Sequence, residues 1–515
     1  MGHHIIQEVS QEKFEFQGKA KLIPILLIIL GAAMAIFGSM QVKNNWNAKD
    51  SHHSTTETDS HAVESHDAHS DEHSMDATTT VLLVDKPHAE TTHAADEGHR
   101  ADEDNHHSHE HSMDATTTVL LIDKPHAETT HAADEGHHAN ANEHHGPNWM
   151  TRVWANLLMN SYYFWLFAVA AIFFIAVNYV ANAGWAVMLK RIMEAQSSYI
   201  LLGSILLVGI IIGSKDTLYH WVQYFHSSAA GDPNAAGFDK ILESKSWLLN
   251  NSSLFFFIPF VTIVWIMIRM KLRSNSLAED SDKGLSMFKS STKWSAAFIF
   301  FFAFSFSALS WLIIMSIDAH WYSTMFSVYN FAISFVTGLS VMMIILQYLK
   351  IKGKMTLVSD EVTHDLGKFM FAFCVFWAYI FLSQWLLIWY TNLPEETVYF
   401  AARLSSDFKT LFFINLFMCF IAPFLVLMMR NAKRSPIVLI LAASIILIGH
   451  WIDMYLLIMP GTVGAHAGIG LLEIGTTMCF FGIFSYTVLN SLSKANLYPI
   501  NHPYVLESAN HDVGP

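Results

Sequence analysis

The stretch WLIIMSIDAHWYSTMF, residues 311–326, closes one apolar run and opens the next. Asp318 and His320 sit at the junction, hemmed in by Trp311, Trp321 and Tyr322. Ionisable groups are costly at the rim of a membrane span, and where they occur they mark proton or substrate paths. Tryptophan and tyrosine anchor such rims at the interface. Working outward in both directions, apolar runs recur at about the 20 residues that a bilayer core requires. Ten fit: 22–40, 160–181, 198–214, 253–272, 294–314, 326–349, 366–390, 410–429, 436–458 and 469–491, the third being short.

Composition agrees. The chain has 515 residues, 52% apolar and only 14% charged, where a soluble protein carries about a quarter. The expected fold is all-α and polytopic. Residues 1–49 form a polar tail and a first span. Residues 50–146 form a low-complexity loop, 147–500 a helical membrane core, and 501–515 a tail. Pro24 falls in the first turn of span one, where proline is tolerated. Gly38-Ser39-Met40 only faintly resembles a signal cleavage site, so the segment reads as a retained anchor. Pro259 and Pro423 fall within spans and predict local kinks.

The net charge of −14 is unevenly spread. Residues 50–146 hold 22 acidic and 3 basic residues, and 19 of the 29 histidines. EHSMDATTTVLLVDKPHAETTHAADEGH at 72–99 recurs at 110–137 with one change, Val84 to Ile122. Two copies mark a duplication, not a stacked solenoid. This loop has too few aromatic residues and too much charge to form a core. Its histidines admit two readings: a metal sponge, or a solvated segment that changes charge near pH 6.5. They lack the fixed ligand spacing of a closed zinc site, which favours the second. VLLV at 81–84 and VLLI at 119–122 have the composition of short strands that dock on a partner.

Lysine and arginine set the expected orientation. With the amino terminus cytoplasmic, the inside loops carry Lys190, Arg191, Arg269, Arg273, Lys350 and Lys352, while 315–325 and 459–468 carry none. The acidic loop is then periplasmic. AGWAVMLKRIMEAQ, 183–196, reads as an interfacial amphipathic helix with Lys190 and Arg191 among lipid headgroups. The loop 215–252, with Tyr219, His220, Trp221, Tyr224 and His226, reads as an interfacial aromatic belt or as a docking surface.

Polar groups within the spans sort into two layers. The outer holds Asp318 and His320, His450 and Asp453 on one face of span nine, and Glu473 at the start of span ten. Gln384, Trp385, Tyr390 and Asn415 are expected at the same depth as a quinone slot. The inner layer holds His364, Asp365 and Lys368, where proton uptake from the cytoplasm is expected; for Asp365 the alternative is an ordinary helix-start charge. A structural His–Asp pair is the alternative at His450 and Asp453. One chemistry fits both layers. A quinol is apolar and loses two protons and two electrons on oxidation, so it needs an aromatic slot beside a histidine and a carboxylate. Cys374, Cys419 and Cys479 form no CxxC, haem-attachment or cluster-binding pattern. The electrons therefore need a redox centre on a partner.

MSIDAHWYSTMF (315–326), HDLGKFMFAFCVFWAYIFLSQWLLIWYTNLPEE (364–396), GHWIDMY (449–455), IMPGTVG (458–464), LEIG around Glu473 and AGWAVMLKRIMEA (183–195) resemble one family across about 150–500. It is the ActF-type second membrane subunit of alternative complex III, similar to NrfD and polysulfide-reductase subunits. The resemblance implies two four-helix bundles plus two extra helices. It implies a bacterial inner-membrane subunit of a quinol:cytochrome c, or quinol:oxidase, oxidoreductase that is not catalytic alone. It implies a quinone or menaquinone, with haems and iron–sulfur clusters held by partners. Those partners are a second NrfD-like subunit, an iron–sulfur protein, multihaem and monohaem cytochromes c, and often a haem–copper oxidase. The second subunit serves quinol oxidation, proton conduction, or both; the repeat loop lies outside the family core. Two other classes remain: a metal-ion transporter with a His-rich loop, and a structural scaffold that tolerates neutral substitutions at Asp318, His450 and Asp453.

Overall fold

The computed structural model describes residues 12–60, 147–282 and 284–511. The repeats of the acidic loop, its histidines from His61 onward and the VLLV and VLLI runs lie outside the described residues. Ten described helices are long and apolar enough to cross a membrane. They are α1 Lys19–Trp46 (the spanning part of a helix Lys19–Ser60), α2 Trp149–Val180, α3 Val187–Leu218, α4 Ser253–Glu279 and α5 Ser286–Ile313, followed by α6 Met325–Ile351, α7 Asp360–Thr391, α8 Lys409–Met428, α9 Pro436–Thr462 and α10 Leu471–Leu492. Among the described residues no strand forms; Lys13 and Asn496 make one antiparallel bridge. The protein is an all-α, multi-span membrane protein.

Two spans differ from expectation, for physical reasons. Span two begins at Trp149 rather than near 160. Asn148 caps it by accepting from Thr151 N at 3.0 Å, and the polar groups of its first turns, Arg152 and Asn156, find partners inside the protein. Span three is not short. Val187–Gln196 and Tyr199–Leu218 run on as one crossing. The expected interfacial helix is thus its first part, and Lys190 and Arg191 are buried, not placed in lipid headgroups. Lys190 pairs with Glu279 at 2.7 Å, and Arg191 with Glu194 at 2.8 Å and with Asp280.

Both prolines expected to kink a span follow a π-helical turn: Ser253–Phe257 before Pro259 and Phe417–Ile421 before Pro423. Proline lacks an N–H and its ring crowds the carbonyl four residues back, so the helix relaxes there by one residue. Four helices, α6, α7, α8 and α9, frame the candidate site. α2 and α6 are the most buried helices, with α3, α4 and α5 on one side and α7, α8 and α9 on the other. α1 lies against α10, where Gly31 and Gly38 face Gly475 and Gly482. A Cβ at any of them would collide with facing backbone.

The connections sort to two ends. At one end Lys245 donates to Ala319 O and Trp321 O, and Arg152 to Gly468 O. At the other, Glu12 accepts from Met355 N, and Ser508 from Met188 N. We call these the Asp318 end and the Lys190 end.

Candidate functional site

Asp453 lies in the middle of a bundle of α6, α7, α8 and α9 and is 2% exposed. Tyr329 Oη donates to its Oδ1 at 2.6 Å and Trp377 Nε1 to its Oδ2 at 3.0 Å. Asn415 Nδ2 donates to Oδ1 at 3.1 Å. One turn back, the fully buried His450 places Nδ1 3.4 Å from Asp453 Oδ2. Cys419 lies 3.5 Å from the same Nδ1 and donates to Asn415 Oδ1 at 3.0 Å. Two local features set this geometry. The π-turn before Pro423 separates Asn415 from Cys419, and Gly449 lets α8 approach α9, since a Cβ there would press on Cys419 and Met418. His450 is near the middle of α9, about 21 Å along the helix from Pro436 and about 18 Å from Thr462 by the helical rise. It is therefore deeper than an outer-layer position.

From Asp453 a small cavity of about 30 Å³ leads toward the Asp318 end, lined by Tyr329, Gln384, Arg403 and Asn415 among others. It has room for a water or two. Arg403, from the short helix Pro394–Arg403, closes it. Its Nη2 donates to Asp318 Oδ2 at 3.0 Å and Leu457 O at 3.1 Å, and Nη1 donates to Tyr399 O at 2.8 Å. The guanidinium lies 3.3 Å from the centre of the Tyr399 ring, and Tyr399 stacks on Trp321 at 3.7 Å. Burial pushes the Tyr399 hydroxyl up, against the pull of Arg403. Gly461 makes room for Asp318, whose carboxylate would collide with a Cβ at that position. Asp318 is 27% exposed, so the chain of groups opens at this end.

The other expected residues separate from this line. His320 is exposed and pairs with Asp239, which caps the helix Lys240–Ser244. Burial raises the Asp239 carboxyl, but the backbone N–H of Leu242 and then His320 outweigh it and hold it below the usual carboxylate range. Glu473 belongs to a second cluster. It accepts from Arg152 Nε at 2.9 Å, Asn156 Nδ2 at 3.1 Å and Gly470 N at 2.8 Å, fixing α10 to α2. Of the expected quinone slot, Gln384 and Asn415 line the small cavity. Trp385 instead stacks on Trp389, and Tyr390 is 84% exposed, so neither lines it.

His364, Asp365 and Lys368 do cluster. Lys368 and His511 both pair with Asp365, the latter at 2.8 Å, and Arg434 pairs with Glu361. Between this cluster and Asp453 the buried positions of α7 are Gly367, Met370 and Cys374, and those of α9 are Leu439, Ala442, Ala443 and Ile446. On α7 and α9 that interval is apolar, whereas α6 buries Ser334, Thr337, Ser340 and Gln347 beyond Tyr329. The denser charge at the Lys190 end is elsewhere, where Arg273 also pairs with Glu194 and Arg269 Nε donates to Ser197 Oγ at 3.2 Å.

Sequence reasoning missed Tyr329, Trp377, Cys419 and Arg403. Arg403 had a signal, as a lone arginine in a connection on the side poor in basic residues. Tyr329 and Trp377 read as ordinary membrane aromatics until Asp453 is placed beside them. One ligand atom each of Cys419, His450 and Asp453 lies within 4.8 Å of the others. Yet both Asp453 oxygens accept from other side chains and the thiol donates to Asn415, and a closed zinc site takes four ligands. The arrangement is that of a hydrogen-bonded cluster. His450 Nε2 is left without a protein partner.

No protein-family model matches the chain, and no curated protein matches it.

Proposed function

We propose that this chain is a membrane subunit of a respiratory quinol-oxidising complex, and that it moves protons between the middle of the bundle and its Asp318 end. The observation that carries the reading is Asp453. It is a deeply buried carboxyl whose neighbours are neutral donors and an imidazole, joined by a wettable cavity to the Arg403–Asp318 pair at the mouth. An aspartate at mid-membrane costs about 2.5–3.5 kcal/mol on insertion scales, so a functional role is the default reading. The sequence blocks quoted above support the respiratory assignment, with a bacterial inner-membrane location and the Asp318 end facing the periplasm. The partners on this reading are a second NrfD-like subunit, an iron–sulfur protein and cytochromes c, with a haem–copper oxidase as the acceptor in some assemblies.

Size weighs against quinol binding at Asp453. Ligand pockets run to about 300–1,000 Å³, and the cavity beside Asp453 is about 30 Å³. A second reading places the quinol ring instead in a cavity of about 250 Å³ at the Asp318 end, lined by Trp247, Trp311, Trp321 and Tyr322 among others. The four aromatic side chains in its wall suit a flat apolar ring.

The test is to purify the chain from its native membrane with whatever it binds, and to measure covalent haem, iron, acid-labile sulfide, zinc and quinone. Co-purifying cytochromes c and an iron–sulfur protein support the proposal. A chain that purifies without redox partners and carries stoichiometric zinc sinks it in favour of metal transport.

A further inference from the structure

A second cavity, of about 800 Å³, opens on the lipid side of the bundle between α2, α6, α9 and α10. Its walls include Phe167, Ile345, Leu447, Phe481 and Val488. The polar atoms along it are turned into the protein. Tyr163 Oη donates to Leu447 O at 2.6 Å, Trp451 Nε1 to Asn160 Oδ1 at 3.3 Å, and Thr477 Oγ1 to Glu473 O at 2.7 Å. Whatever fills the cavity is therefore asked for no hydrogen bond over most of its length.

Along α10 the lining runs from Ile474 to Leu489, about 22 Å by the helical rise. A hydrocarbon chain is thin enough, and a leaflet of about 15 Å supplies chains of about the right reach. At the Lys190 end of the cavity Lys352 lies over the Tyr348 ring, 5.9 Å from its centre, and Lys494 follows the end of α10. Both lysines are exposed, and among the described residues neither makes a salt bridge.

We propose that this cavity seats an acyl chain of an anionic phospholipid, whose phosphate lies by Lys352 and Lys494. Basic side chains near a membrane surface enrich anionic lipid by roughly fivefold each. The inference is independent of the respiratory assignment.

The intact purified assembly would be placed in phosphatidylcholine vesicles holding a minority of phosphatidylglycerol, with bromine on the acyl chains of one lipid or the other. The share of fluorescence from Trp451, taken by difference from Trp451→Phe, reports occupancy. Brominated phosphatidylglycerol should quench it several-fold more than the same fraction of brominated phosphatidylcholine. Lys352→Gln with Lys494→Gln should equalise the two lipids. Equal quenching in the unmodified protein overturns the proposal, as does a Trp451 that neither lipid quenches. Because Trp451→Phe also loses a hydrogen bond, phospholipid retained on the purified assembly is counted by native mass spectrometry. Unmodified protein should keep phosphatidylglycerol, and Val341→Phe with Ser485→Phe, which narrows the cavity, should lose it. Recovery of a prenylquinone in its place contradicts the assignment.

Discussion

Asp453 is surrounded by hydrogen-bond donors. Tyr329, Trp377 and Asn415 all donate to it, so the pocket is shaped for an acceptor. Tyr329→Phe removes one hydrogen bond to this carboxyl and should cost about 1.5–3 kcal/mol, read as a lower melting temperature of the purified protein. In an Asp453→Asn background the same change should cost less, because the acid partner is gone. Equal costs in both backgrounds would show that Tyr329 stabilises by packing alone. A different residue predicts a pH effect. His502, after the last span, is pushed down to about 2 by burial and by the nearby Lys190 and Arg191. Its Nδ1 accepts from Tyr504 N at 3.3 Å, as a neutral ring does. The folded form resists the proton that the unfolded chain binds below about 6.5, so this contribution is complete above that pH and is lost on acidification. Each unit below 6.5 should cost about 1.4 kcal/mol. His502→Gln should flatten the fall in melting temperature between pH 7 and pH 5. An unchanged slope would mean that other groups carry it.

At the scale of elements, the packing of α1 on α10 depends on absent side chains. Gly31, Gly38, Gly475 and Gly482 meet backbone to backbone, while Leu22, Ile29 and Phe37 face outward. Overpacking costs about 1–3 kcal/mol, so Gly475→Leu should release α1 and leave the other spans in place. Disulfide trapping between cysteines placed on α1 and α10 would report it, and undiminished trapping would refute it. Nine of the ten spans could be located in sequence from the length of their apolar runs, and the tenth, α3, only in part. Its first turns carry Lys190, Arg191 and Glu194, and a hydropathy reading sends such residues to the interface. Pairing with Arg273 and Glu279 on α4 and with Asp280 just after it, contacts between distant segments, keeps them inside. The candidate site was legible in the same measure. An aspartate and a histidine three apart in an apolar run single themselves out, whereas Tyr329, Trp377 and Arg403 matter only through contacts across helices. Asp318 and His320 are two residues apart yet face different partners, Arg403 and Asp239. Proximity in sequence could not separate them.

At the scale of the molecule, charge is concentrated at the two ends and thins out between them. At the Lys190 end, Lys190, Arg191, Arg273, Glu194, Glu279 and Asp280 form one buried network. Removing one partner of a buried pair costs about 3–5 kcal/mol, and removing both is often close to neutral. Lys190→Met should therefore reduce the yield of folded protein sharply, and Lys190→Met with Glu279→Leu should restore much of it. Failure of the double variant to recover would assign the pair a role beyond stability. Apolar faces of α7 and α9 separate Asp365 from Asp453, whereas the cavity beside Asp453 reaches Arg403 and so the Asp318 end. The deciding measurement is the number of protons released per electron, together with quinol turnover, by the intact assembly carrying Asp453→Asn, after all subunits are shown to be present. Fewer protons per electron, or turnover reduced to background, is the predicted result. Turnover and proton yield equal to those of the unmodified assembly would contradict it and leave Asp453 as a structural group.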